Sequence, residues 1–202
     1  TCLEGLTHHY ESLDMSRMTL VYFCVVALDL LGSLDRVVDD GSPNGGRRAR
    51  IVDWIYNCQI TPRKGAYSWR HCGFRGGPYF GHPFETDDGA GSSGSVRMTH
   101  EFDHGHIAMT YSALAALLTL GDDLSRVDGP ATVRALGALQ REDGSFTATS
   151  DGSECDMRFL YCACAISTIL GDWGGVDRDR ASGYVRRCFS YDGGVGLVPG
   201  QE

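Results

Sequence analysis

Apolar residues recur at steps of three and four along most of this chain, which is the period of one face of an α-helix. One such stripe runs from Ser12 to Leu31, and the same period predicts helices over residues 48–58, 104–120, 130–140, 156–170 and 177–188. Residues 61–100 contain several prolines and a Gly/Ser cluster and have no sustained period. They predict an irregular insertion with room for two or three residues of extended structure. The pattern predicts an all-α protein with a single domain over residues 1–202.

Glycine-rich turns separate the predicted helices at regular intervals. The turn at Asp143 to Phe146 resembles the turns over residues 72–77 and 191–200. Gly144 and Gly193 are 49 residues apart, and Gly73 and Gly144 are 71 apart, which fits a unit of about fifty residues with one insertion. Helix pairs with this period form either an open superhelix or a closed α-α toroid. The glycine and aromatic content of the turns favours the toroid.

Charge and cysteine content limit the partners and the compartment. The net charge of −8 argues against binding to nucleic acid, which needs a surplus of Lys and Arg. The eight cysteines include no CxxC pair, and most lie in apolar helical segments. They predict buried, reduced thiols and therefore a reducing compartment, the cytoplasm. The longest apolar run, within residues 20–31, is interrupted by Asp29 and is too short to span a bilayer.

Arg158 is the charged residue that most needs a function, because it follows Met157 and precedes Phe159 in an otherwise apolar helix. An unpaired buried guanidinium would be costly. The sequence leaves two explanations open, which are compatible. Arg158 forms an ion pair with Asp156 or Glu154, or it contacts a ligand.

Two other motifs suggest metal chemistry. His104 and His106 form an HxH pair, but no third and fourth ligand follow at the spacing of a zinc site, and we expect no metal there. Asp122 and Asp123 resemble acidic motifs that bind magnesium diphosphate or protonate olefins. Their position between two predicted helices favours a turn capped by carboxylates.

Seven strings of the chain, in order, resemble the β subunits of type I protein geranylgeranyltransferases, in the CaaX prenyltransferase family. The resemblance covers residues 4–202 except the loops near 40–48 and 85–100. The strings are LDMSRMTLVYFCVVALDLLGSLD, CGFRGG, HGHIAMTY, LGDDLSRV, LQREDGSF, GSECDMRFLYCA and SYDGGVGLVPGQE.

This resemblance implies an α-α toroid, of which the chain is an incomplete part. The family forms a heterodimer with a prenyltransferase α subunit and transfers geranylgeranyl from geranylgeranyl diphosphate to the cysteine of a C-terminal CaaX sequence in proteins such as small GTPases. Zinc holds that cysteine as a thiolate, and no magnesium requirement is expected. The zinc ligands and the diphosphate-binding cations of the family correspond to positions beyond residue 202, so we expect the 202-residue chain alone to be inactive.

The resemblance also assigns residues to the substrate site. Arg158 corresponds to an active-site residue, and Phe23, a core aromatic by spacing alone, corresponds to the wall of the isoprenoid tunnel. The pocket for the last CaaX residue corresponds to Thr19, His106, Ala108 and Phe159, and the tunnel lining also includes Thr19, Tyr161 and Cys162.

Thr19 is the residue that the resemblance connects with isoprenoid length. Farnesyltransferases resemble this segment but have a tryptophan at the position of Thr19. A small side chain leaves room for a fourth isoprene unit. Burial of its five carbons, at about 0.8 kcal/mol each, would contribute about 4 kcal/mol.

Two alternative functions remain open. A terpene cyclase with a related α-α barrel is suggested by the turn over residues 140–146, although the chain has no DxDD acid motif. A non-catalytic helical scaffold that binds an α subunit is the second alternative.

Overall fold

The computed structural model describes residues 8–42, 46–62, 68–77 and 104–201, and the described part is predominantly helical, as predicted. Its elements are a 3-10 helix over His8–Ser16, α1 over Arg17–Leu30, α2 over Leu34–Val38, α3 over Gly46–Asn57, β1 over Gln59–Ile60, a second 3-10 helix over Trp69–His71, β2 over Gly73–Phe74, α4 over Ile107–Thr119, α5 over Gly129–Leu139, α6 over Met157–Leu170 and α7 over Arg178–Arg187.

Among the described residues, extended structure is confined to two-residue strands and isolated bridges. Strands β1 and β2 pair antiparallel, with Gln59 opposite Phe74 and Ile60 opposite Gly73. Strand β2 and the second 3-10 helix lie inside the predicted irregular insertion. Residues 63–67 and 78–100 of that insertion lie outside the described residues.

The first helix begins later than its apolar stripe predicts. Residues 8–16 form a 3-10 helix in which Met15 is exposed, and α1 begins at Arg17. The cause is the glycine turn over residues 72–77. The amide of Met18 donates to the carbonyl of Gly76 at 2.8 Å, and a side chain at Gly76 would overlap the backbone of Met15. This contact depends on residues far along the chain, so the period of the apolar residues could not reveal it.

Aspartates begin three of the helices, in agreement with the sequence. The carboxylate of Asp128 accepts from the amide of Ala131 at 3.0 Å and caps α5. Asp156 and Asp177 cap α6 and α7 in the same way. A carboxylate at this position satisfies an amide that has no partner inside the helix.

Helices α1, α4 and α6 form a row in which α4 packs against both of the others. Helix α3 contacts α4, and α5 contacts α6. One apolar core joins these helices, and its largest fully buried side chains include Met18, Ile55, Phe74, Leu114, Leu117, Phe146, Ile166 and Tyr184. None of the described helices has the length and apolar character needed to span a membrane.

The fifty-residue repeat of the sequence corresponds to a repeated turn in the structure. Gln140 forms an isolated antiparallel bridge with Phe146, and Phe189 forms the same bridge with Val195. Each residue of the second bridge lies 49 positions after its counterpart in the first, which is also the spacing from Gly144 to Gly193.

The two turns share their internal hydrogen bonds. Asp143 and Asp192 each accept, through Oδ1, from the amide two residues further on, at 3.0 and 2.9 Å. Gly144 and Gly193 have φ values of 88° and 86°, a region that glycine adopts without steric cost. Their surroundings differ: a Cβ at Gly144 would overlap the carbonyl of Arg180 in α7, whereas a Cβ at Gly193 would meet nothing within 4 Å.

We expect Gly144→Ala to destabilise the chain much more than Gly193→Ala, because the two sites have the same φ and differ in the neighbouring backbone. The positive φ alone costs about 1 kcal/mol at each site. The overlap with α7 adds about 2 kcal/mol at Gly144. Denaturant unfolding of both variants measures the difference, and equal losses would mean that the turn does not pack on α7 as described.

Candidate functional site

Aromatic side chains line the exposed face of the row formed by α1, α4 and α6. The hydroxyl oxygens of Tyr22 and Tyr111 lie 3.1 Å apart, and those of Tyr111 and Tyr161 lie 3.3 Å apart. We call these three residues the tyrosine row. Burial and the hydrogen bonds to both neighbours raise the pKa of Tyr111, so its hydroxyl stays protonated at neutral pH.

Phe23 and Tyr161 belong to this exposed face and not to the core. Their exposed fractions are 61% and 58%, and the Phe23 ring packs against Tyr22 with a centroid distance of 5.4 Å. Within the described chain, Phe23 is therefore a surface aromatic and not part of the core. Its place on an isoprenoid tunnel remains a prediction.

Sequence reasoning missed Tyr22 and Tyr111, although a signal for Tyr111 was present. Tyr111 precedes Tyr161 by 50 residues, which is the repeat length. Ala108 and Arg158 are also 50 residues apart, each three residues before one of these tyrosines. Positions three apart share a helix face, so Ala108 and Tyr111 on α4 correspond to Arg158 and Tyr161 on α6. This correspondence puts the two tyrosines at equivalent positions of successive repeats.

Thr19 lies at the contact between α1 and α4. Its hydroxyl donates to the sulfur of Met109 at 3.3 Å and lies 3.5 Å from the hydroxyl of Ser112. Thr19 is half-buried, and it is on the same face of α1 as Tyr22 and Phe23 by helical spacing. The site predicted from sequence and the tyrosine row are therefore adjacent on this helix.

His106, Ala108 and Phe159 meet where α4 and α6 begin. The Nδ1 atom of His106 accepts from the amide of Ala108 at 3.2 Å and caps α4. The His106 ring contacts the ring of Phe159 edge-on, with centroids 6.0 Å apart. Burial lowers the pKa of His106 and keeps Nδ1 available as an acceptor, whereas the Glu154 charge raises it by a smaller amount.

The predicted site residues differ in how far they reach solvent. Phe159 is 4% exposed and Cys162 is 6% exposed, so both pack in the core of the described chain. Burial raises the pKa of the Cys162 thiol to about 11. The tunnel-lining role of Cys162 stays a prediction. All seven cysteines among the described residues are free thiols, and Cys2 lies outside those residues.

Arg158 forms the predicted ion pair, but it is not buried. Its side chain is 56% exposed, which corrects the expectation of a buried guanidinium. Nη2 donates to Asp156 at 2.6 Å and to Glu154 at 2.9 Å, and Nε donates to both Asp156 oxygens at 3.1 and 3.0 Å. These hydrogen bonds hold the pKa of the Asp156 carboxyl below its usual range. Nη1 donates no hydrogen bond to the part of the chain that the structure describes.

The two histidines of the HxH pair have different roles. His106 is a helix cap, whereas His104 lies beside His71 and Asp151, with one possible ligand atom from each residue within 4.8 Å of the others. No further ligands follow His104 at the spacing of a zinc site, as the sequence indicated, and its two possible co-ligands come from distant parts of the chain. The expectation of no metal at the HxH pair stays a prediction. This group lies within residues 71–151, whereas the resemblance puts the zinc ligands of the family beyond residue 202.

The two acidic residues of LGDDLSRV form capped turns, as predicted. Asp122 Oδ1 accepts from the amide of Leu124 at 2.8 Å and from the hydroxyl of Tyr56 at 2.5 Å. Asp123 Oδ1 accepts from the amide of Ser125 at 2.9 Å. Both carboxylates are thus occupied within the turn between α4 and α5.

The His106 cap predicts a pH-dependent stability. Because burial lowers the native pKa below the usual value of about 6.5, the unfolded chain takes up the proton at a higher pH than the native chain. The free energy of unfolding should therefore fall as pH falls below about 6.5, and this contribution should level off below the native pKa. We expect His106→Asn, which caps without titrating, to show a smaller fall in denaturant unfolding over that range. An unchanged fall would assign the titration to other groups.

Comparison with known proteins identifies the family of this arrangement. The prenyltransferase α-α toroid domain matches residues 1–202. The β subunit of geranylgeranyl transferase type 1 from Arabidopsis thaliana is 36% identical over 201 residues, which are 98% of this chain and 48% of that protein. The corresponding subunit from Dictyostelium discoideum is 34% identical over 203 residues, with coverages of 99% and 55%. The chain thus spans about half the length of these relatives.

A solved structure has the same fold. The protein geranylgeranyltransferase-I of Candida albicans, complexed with GGPP, superposes with a TM-score of 0.72 at 20% sequence identity, covering 100% of this chain and 52% of that one. The toroid predicted from the repeated glycine turns is therefore confirmed at the level of fold. The chain belongs to the prenyltransferase α-α toroid domain family.

Proposed function

We propose that this chain is part of the β subunit of a type I protein geranylgeranyltransferase. In this role it transfers geranylgeranyl from geranylgeranyl diphosphate to the cysteine of CaaX-ending proteins such as small GTPases, as a heterodimer with a prenyltransferase α subunit. The observation that carries the proposal is the exposed aromatic face across α1, α4 and α6, which has Thr19 on the same helix as Phe23. The two relatives named above carry this activity in their names.

The exposed face has the chemistry of an isoprenoid site. Phe23 and Tyr161 leave more than half of their surface uncovered, which is costly unless another apolar group covers it. An isoprenoid lying along these rings would bury that area. Thr19 would then leave room for the fourth isoprene unit, because its side chain is small and is held against α4.

Arg158 is suited to bind the peptide. Asp156 and Glu154 fix the guanidinium in one orientation through Nε and Nη2. The remaining Nη1 has two N–H groups that could donate to a main-chain carbonyl of the CaaX segment. His106 lies near the start of the same helix pair, where the last CaaX residue would contact it, and the buried Phe159 ring packs against His106 from the core side.

The chemical step needs a thiolate nucleophile on the substrate cysteine, and in the family a bound zinc ion supplies this by lowering the pKa of the thiol. The proposed contribution of this chain is to bind and orient the two substrates. We also propose a cytoplasmic location, which the seven free thiols support. The names of the relatives favour prenyl transfer over the terpene cyclase and the non-catalytic scaffold.

Exchange of Thr19 for tryptophan tests the proposed function. In the heterodimer that contains this chain, Thr19→Trp should shift the ratio of kcat/KM for geranylgeranyl and farnesyl diphosphate towards farnesyl by about tenfold or more, because the indole would occupy the space of the fourth isoprene unit. Thr19→Val is the matched control, since it removes the hydroxyl and keeps the volume. No prenyl transfer by the unmodified heterodimer would refute the proposed function, and unchanged selectivity would refute the role of Thr19.

Removal of the Arg158 guanidinium should affect catalysis more than folding. The ion pair is exposed on the Arg158 side, so we expect Arg158→Ala to lower the free energy of unfolding by about 1 kcal/mol or less. The same change should lower kcat/KM for a CaaX peptide by about tenfold or more. Arg158→Lys keeps the charge without the planar fork and should recover only part of the activity. A variant that loses stability but keeps kcat/KM would limit Arg158 to a structural role.

A further inference from the structure

Three potential metal ligands from distant parts of the chain converge near the start of α4. His71 ends the second 3-10 helix, His104 precedes α4 by three residues, and Asp151 lies in the glycine turn that leads to α6. One ligand atom from each residue lies within 4.8 Å of the other two. The two histidines are half-buried and Asp151 is exposed, so a metal ion could reach the group from solvent.

The backbone holds the two histidines together independently of any ion. The amide of Gly105 donates to the carbonyl of His71 at 2.8 Å. A Cβ at Gly105 would lie 2.7 Å from the carbonyl oxygen of Cys72 and 2.9 Å from that of His71, which is too close for any other residue without movement. Glycine at this position therefore brings the segments close enough for the two imidazole rings to stack, with centroids 3.9 Å apart and planes at 27°.

The side chains around this group already orient the rings. His104 Nδ1 contacts a carboxylate oxygen of Asp151. The hydroxyl of Ser150 lies 2.9 Å from His71 Nδ1. The Ser150 hydroxyl is a partner of the kind that fixes the ring orientation of a histidine ligand in metal sites, whereas Asp151 is itself a member of the group.

We propose that His71, His104 and Asp151 bind a divalent transition-metal ion, with zinc as the best match to two imidazoles and one carboxylate. Zinc sites with three protein ligands of these types keep a fourth position for water. Asp151 can adjust its position to an ion, because it is exposed and precedes Gly152 in a turn.

This site is separate from the zinc implied for the prenyl-transfer reaction, because the zinc ligands of the family correspond to positions beyond residue 202. A bound ion would stabilise the local structure. It would link the segment before α4 to the turn before α6. His106 caps α4, and Arg158 lies in the first turn of α6. Binding should therefore stabilise the end of the molecule at which both helices begin.

Metal binding to the full chain tests the proposal. After removal of metal with a chelator, the chain should bind one equivalent of Zn²⁺ with a rise in Tm. His104→Gln and Asp151→Asn should each weaken the binding by about tenfold or more and abolish the rise in Tm. His9→Gln, which changes an exposed histidine of the first 3-10 helix, is the matched control and should bind as the unmodified chain does.

Cobalt distinguishes this site from binding by the cysteines. Co²⁺ at the proposed site should give d–d absorption without a thiolate charge-transfer band, and His104→Gln should remove that absorption. A thiolate band that persists in His104→Gln would overturn the proposal, as would the absence of stoichiometric Zn²⁺ binding by the unmodified chain. Circular dichroism of each variant verifies that it is folded. The readouts do not use prenyl transfer, so their failure is distinguishable from failure of the proposed function.

Discussion

Close contact between backbone segments at the glycine turns is the constraint on which the rest of the structure depends. Gly76 packs on the backbone of Met15, Gly105 on that of Cys72, and Gly144 on that of Arg180. Any side chain at these glycines would force the two backbone segments of each contact apart. These contacts fix where α1 begins, where His106 caps α4, and how α7 packs on the turn before α6. The positions of the functional side chains follow from these contacts.

The sequence was sufficient for the features that depend on local pattern. The period of the apolar residues identified the longer helices, and the caps at Asp128, Asp156 and Asp177 followed from residue type. The repeat of 49 residues indicated equivalent turns, because the same short-range hydrogen bonds recur at Asp143 and Asp192. Each of these features is determined by residues within a few positions of one another.

Features that depend on contacts between distant segments could not be predicted. The late start of α1 needs Gly76, and the exposure of Arg158 depends on which face of α6 packs against its neighbours. By spacing, His104 pairs with His106 as a possible HxH ligand set, but in the fold its neighbours are His71 and Asp151. Sequence spacing reveals ligands that lie on one element, whereas this group requires the folded path of three segments.

The tyrosine row affects how the protein would recognise the length of an isoprenoid. Two hydrogen bonds link the three hydroxyls of the row, so two of the three O–H groups donate within it and the rings between them present a hydrocarbon surface. In the proposed function, an isoprenoid along this row would contact aromatic rings from α1 to α6. Such a surface would not distinguish a shorter prenyl chain from a longer one by polarity. Discrimination of length would then depend on the residues at the end of the row.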